Sequence, residues 1–199
     1  MTRFLQIEPT ALSGAYSRRP LAIRHELADH ELLTVEALAD LADFLPLESV
    51  EHNTGRLPSV LVGDAPISDL LPGEIARGIE NNGCWMVLKN IEQHPAYRAL
   101  LYATLDEVEP LISVQEGSMQ NREGFVFLSA PGSVTPTHVD PEHNLLLQVR
   151  GTKEMNVGRF PDAETEQRDL ERFYGGGHRN IDQLPVDTQT FALAPGGGV

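Results

Sequence analysis

An internal disulfide is excluded from the start, because the chain holds a single cysteine, Cys84. It lies in the apolar run CWMVLKNI, which predicts a buried small hydrophobe rather than a reactive thiol. Such usage fits a reducing cytosol. Positive charge is also scarce: 15 Lys and Arg stand against 29 Asp and Glu, a formal net charge of −14. So acidic a chain, without a compact basic patch, is unsuited to nucleic acid or anionic membranes, whose phosphates need clustered cations. Long apolar runs are missing too. MTRFLQIEPTALSG has no signal-peptide core, and no window nears the roughly 18 apolar residues of a membrane span. The expectation is a soluble, cytoplasmic protein. No serine nucleophile elbow, P-loop or dinucleotide fingerprint occurs, and GGGH lacks the spacing that cradles phosphate.

What is present is an ordinary globular composition, 41% hydrophobic and 22% charged over 199 residues, enough for a real core. In LLTVEALADLADFLP, Val35, Leu38, Leu41, Ala42 and Leu45 recur at helical spacing, with Thr34 as N-cap and Pro46 as stop. ISDLLPGEIARGIENNG (67–83) predicts one or two short helices interrupted at Pro72 and Gly73. CWMVLKNI (84–91) predicts a buried strand. HPAYRALLYATLDEVEPLI (94–112) predicts the longest helix, with Leu101, Leu105 and Val108 as its stripe, until Pro110 ends or kinks it. After about residue 120 come short β-type runs, GFVFLSAPGS, NLLLQVRG, KEMNVGRF and QTFALAPGGG. The polar stretch 160–188 predicts a long insertion or lid. The pattern therefore divides into an N-terminal helical region, 1–119, packed on an antiparallel β unit, 120–199. FALAPGGGV reads as a strand, a turn and the first residue of another strand, so the β unit is expected to be cut short.

Chemistry concentrates in GSVTPTHVDPEHNLLLQVRGTKEM, residues 132–155. In an extended segment, residues i and i+2 share a face about 6–7 Å apart, so His138 and Asp140 can grip one ion. An imidazole nitrogen with a carboxylate oxygen suits iron(II), manganese or zinc. Pro136 and Pro141 deny the segment a helix. Gly151 and Thr152 predict a two-residue hairpin loop that sets residue 150 opposite Lys153. Alternation then places Asn144, Gln148 and Lys153 on one face, and also sends Glu154 and Asn156 to the side of Leu145 and Leu147. Bland readings stand beside these. His143 suits a loop, Asn144 can cap a turn, Lys153 can be solvated, and a buried Gln148 amide needs partners.

Together, Thr135, Pro136, His138, Asp140, Asn144, Gln148, Gly151 and Lys153 fill the run T-P-x-H-x-D-x-x-x-N-x-x-x-Q-x-x-G-x-K. This run resembles the JmjC-type, cupin-like iron(II)/2-oxoglutarate oxygenases, and within them the asparaginyl-hydroxylase branch. The resemblance covers about residues 120–199 and is specific from 133 to 153. It implies a mainly β, double-stranded β-helix (cupin or jelly-roll) core carrying the helical N-terminal region, α+β overall, with the barrel incomplete and residues 160–188 inserted. It implies that His138 and Asp140 are two corners of a facial triad for Fe(II). Lys153 and Thr135 would hold the distal carboxylate of the cosubstrate 2-oxoglutarate, with Asn144 beside it. The family's third ligand is a histidine on the strand after the Gly-rich turn, expected beyond Val199, with His178 as a fallback.

The implied activity is hydroxylation of a side chain, of a protein or peptide, in preference to demethylation. Two alternatives remain from other classes: a non-catalytic cupin-like module binding a metal or an organic acid, and a degenerate protein-interaction domain. Neither substrate identity nor oligomeric state is readable in the sequence.

Overall fold

Prolines set where helices begin. A computed structural model of the chain describes residues 3–55, 57–61 and 68–199. Its helices α1 (Pro9–Ala15), α3 (Pro72–Arg77), α4 (Pro95–Leu105) and α5 (Glu109–Glu116) all carry proline in the first turn. There the missing N–H costs nothing and the fixed φ favours the helix. Pro72 and Pro110, expected to interrupt helices, therefore start them; Ile67, where the first of those segments begins, lies outside the described residues. Helix α2 (Val35–Phe44) is capped as expected, the Thr34 hydroxyl accepting the Ala37 N–H. It buries Leu38, Ala39, Leu41 and Ala42. On α4 the buried residues are Tyr97 and Thr104, with Leu101 and Leu105 only partly covered. The longest helix is α6 (Ala163–Tyr174), inside the polar stretch read as an insertion, with Asp162 as its N-cap.

The strands are β1 (Leu5–Gln6), β2 (Ile23–His25), β3 (Val50–Thr54), β4 (Cys84–Leu88), β5 (Val126–Ser129), β6 (Leu147–Gln148), β7 (Lys153–Arg159), β8 (Val186–Leu193) and β9 (Gly197–Gly198). They form three antiparallel sheets, ordered β1-β2-β9-β6, β3-β4-β5 and β7-β8. Two of these sheets join strands from both sides of residue 119.

The expected mainly β, double-stranded β-helix core is overturned. About 33% of the structure is helix and 21% strand, the sheets are small, and no barrel closes among the described residues. This is an α+β protein. The local chemistry accounts for the difference. Pro131, Pro136 and Pro141 remove ladder donors from the segment before β6, and it forms only an isolated bridge, His138 with Asn180. The predicted hairpin at Gly151 is also corrected. β6 pairs with β9 and β7 with β8, so Lys153 faces Leu193, not Arg150. Gly151 has φ 66°, a left-handed conformation open to glycine, and it carries the chain between sheets. Glu154 and Asn156 are exposed, while Lys153, Met155 and Val157 are partly covered.

One face of β3-β4-β5 supplies the main core. Cys84, Met86, Leu88 and Leu128 pack there with α2, α3 and Tyr97 of α4. A second cluster joins Leu5, Ile7, Leu12, Ile23, Val108 and Ile112. The Glu107 carboxylate pins the N-terminal strand by accepting the Phe4 and Leu5 N–H groups at 2.6 and 3.0 Å. Met86 is fully buried at the centre of the first cluster. Met86→Ala is therefore expected to lower stability by about 2–5 kcal/mol, read as a shift of the urea midpoint with an unchanged slope.

Candidate metal and organic-acid site

The prolines that prevent a barrel strand here also hold His138 and Asp140 side by side. The segment around them borrows support from the chain after α6: Val139 N–H donates to the Arg179 carbonyl, and Ile181 N–H to the Thr137 carbonyl. The His138 Nδ1 lies 2.8 Å from the Pro136 carbonyl. A carbonyl only accepts, so Nδ1 carries the proton and Nε2 of a neutral ring keeps its lone pair. That Nε2 lies 3.4 Å from Asp140 Oδ2.

This geometry passes a test for metal binding as far as two ligands go. Nitrogen and oxygen donors each about 2.1 Å from one ion, at a right angle or somewhat wider, lie roughly 3–3.5 Å apart. Metal-bound histidines are commonly oriented by a backbone carbonyl on the other nitrogen, which is the part Pro136 plays. The third corner is not assembled. Among the described residues no group of three His, Cys, Asp or Glu side chains is placed to hold an ion. His178 is exposed, and its Nδ1 accepts the Asn180 N–H at 3.0 Å.

The other expected site residues are dispersed. Thr135 and Asn144 are exposed in loops. His143 stacks on Tyr16, with ring centroids 4.8 Å apart, which serves the fold. The Gln148 side chain satisfies itself locally by donating to the Arg150 carbonyl. Lys153 opens β7, half-buried, with Nζ 6.0 Å from the centre of the Phe127 ring. Burial pulls its ammonium below the usual lysine range. Among the described residues it forms no ion pair.

Arg179 is the participant that sequence reasoning missed. Its Nη1 donates to Asp140 Oδ1 at 3.0 Å and to Glu142 at 2.8 Å, while Nη2 donates to Glu142 at 2.7 Å. The guanidinium also rests over Phe173, 4.7 Å from the ring centre. Arg179 sits only two residues beyond the glycines of YGGGHRN, and nothing local marks it as a partner for residues 39 and 37 positions away.

These contacts shift the titrating groups. The bond to Asp140 raises the His138 imidazole above its ordinary range, against the opposing effect of burial. Burial pushes the Asp140 carboxyl up, but the bond and charge of His138 and the Arg179 guanidinium together carry it below the usual range. Glu142 is held low by its bond to Arg179. For a raised histidine, stability is present at low pH and lost as pH rises through the folded value; for a lowered carboxylate it is lost as pH falls. The His138–Asp140 contact thus stabilises the fold in the window between the two. Compared with models of known families, with curated proteins and with solved structures, the chain finds no match.

Asp140→Asn removes the main cause of the His138 shift. Its imidazole pKa should fall towards the ordinary histidine value in a proton NMR titration, and an unchanged pKa contradicts the contact.

Proposed function

We propose that this protein is an iron(II)- and 2-oxoglutarate-dependent dioxygenase that hydroxylates a side chain of a protein or peptide. The reading rests on the local site and the spacing of residues 135–153, not on a barrel. The observation that carries it is the His138 ring, fixed through Nδ1 to the Pro136 carbonyl with Nε2 3.4 Å from Asp140. When bound, iron(II) would activate dioxygen, the oxidant, with 2-oxoglutarate giving up two electrons as it loses carbon dioxide and the attacked C–H bond giving up the other two. His138 and Asp140 hold two ligand atoms on one side of the site. His138 and Arg179 together keep Asp140 ionised, and Lys153 offers a half-buried ammonium to the far carboxylate of the cosubstrate. No general base is needed for this chemistry. A cytoplasmic setting fits the lone buried Cys84, and among the described residues no helix is long and apolar enough to cross a membrane.

A second reading, a module that binds a metal or an organic acid without turnover, is favoured by one contact. Arg179 already neutralises part of the Asp140 charge, and two protein ligands alone hold an ion less firmly than three.

Anaerobic addition of iron(II) and 2-oxoglutarate should give a weak visible charge-transfer band, and oxygen should then release succinate. A band without succinate supports the binding module; neither signal overturns both readings. Lys153→Ala should weaken 2-oxoglutarate binding by at least about tenfold while changing metal affinity little, and equal loss of both contradicts the anchor role.

A further inference from the structure

Strand β9 consists of Gly197 and Gly198 alone, so it brings no side chain of its own to the packing. Backbone pairing holds it between β2 and β6, and one buried imidazole ties the three together. His25 on β2 is 4% exposed. Its Nε2 lies 3.0 Å from the Gln148 carbonyl of β6. The same carbonyl accepts the Gly196 N–H at 3.0 Å, and the Gly196 carbonyl accepts the His25 N–H at 2.9 Å. At the other nitrogen of the ring, Nδ1 accepts the Leu27 N–H at 3.1 Å. One neutral tautomer satisfies all of these contacts. A carbonyl only accepts, so Nε2 carries the proton and Nδ1 keeps the lone pair that faces Leu27. The ring has no place for a second proton. An Nδ1–H would point at another N–H, losing that bond and leaving buried donors without an acceptor.

The surroundings offer a charged ring little compensation. Among the described residues, β1 sets Leu5 opposite His25, and β6 and the turn at Gly196 present backbone to it. The charged groups that act on it are its neighbours along β2: Arg24 opposes protonation and Glu26 favours it. Glu26 is itself engaged by the Gln6 amide. Burial is the largest influence, and it carries the imidazole below its ordinary range. For a histidine lowered in this way, the opened chain takes up the proton before the folded one does. The stability is therefore present above the ordinary histidine value, and is lost as pH falls from that value through the folded one. His138 acts in the opposite sense.

We propose that His25 is an acid-released latch. Protonation at Nδ1 expels the ring from between Leu27 and Gln148, and β9 with the turn at Gly196 comes away from β2 and β6, while the core around β4 stays folded.

Amide hydrogen exchange, corrected for the intrinsic effect of pH, reads this directly. The amides to follow are those of His25, Leu146, Gly196 and Val199, which donate across these elements. Between about pH 8 and about pH 5, where an ordinary histidine changes charge, their protection should fall by roughly fivefold, the worth of the one hydrogen bond that protonation removes. Protection of Met86 and Leu88 in β4 should hold. His25→Gln keeps a side-chain N–H for the Gln148 carbonyl but takes up no proton, so protection of the remaining amides should become insensitive to pH. A fall of equal size in the variant, or no fall in the native chain, overturns the latch. So does a His25 imidazole that titrates at or above the ordinary value in proton NMR, a measurement that needs no variant.

Discussion

Everything in this protein leans on one strand. β4 is buried at all five positions, Cys84 to Leu88, and is paired on both sides, by β3 and by β5. A strand so enclosed must have every backbone donor and acceptor met within the sheet, since water cannot reach them. That condition places both neighbours in register with it. One face then presents Cys84, Met86 and Leu88 to helices α2 and α3. The other presents Trp85 and Val87 on the side where Lys153 meets Phe127. The apolar face supplies burial, which drives folding. The opposite face bears two unpaired polar atoms, at a cost of about 1–3 kcal/mol each.

Local features were legible in the sequence, and long-range pairing was not. Thr34 and Pro46 bracket α2 because a side-chain cap and a missing N–H act within one turn. The run 84–91 reads as a strand because it is mostly apolar and β-prone, and the structure keeps Cys84–Leu88 of it as β4. By contrast β2 pairs with β9, joining Ile23 to Gly198, and no residue near either strand encodes a partner so distant. The prolines misled in a systematic way. The same residue that breaks a helix interior favours its first turn, and Pro72 and Pro110 could be read either way until the surrounding register was known. α6 was hidden by its polarity: its exposed, charged surface resembles a loop in composition, and its one fully buried residue is the carboxylate Asp169.

At the site the balance is similar. The H-x-D spacing suggested that His138 and Asp140 could share one ion; in the structure their side chains lie 3.4 Å apart. The barrel implied by resemblance does not close among the described residues, which separates the site from the architecture: a short proline-braced segment can orient an imidazole and a carboxylate without one. Arg179 binds Asp140 and Glu142 together, adding to His138 in keeping Asp140 ionised, holding Glu142 low, and tying the segment after α6 to the site. A cation bound at His138 and Asp140 would meet that guanidinium as a competitor for the same carboxylate.

The most direct test is paramagnetic. Substoichiometric manganese(II) added to the protein should broaden the imidazole proton resonances of His138 first among the seven histidines, leaving buried His25 sharp, and Asp140→Ala should abolish that selectivity. Uniform broadening of exposed histidines, or none at His138, would contradict a metal pair at this position.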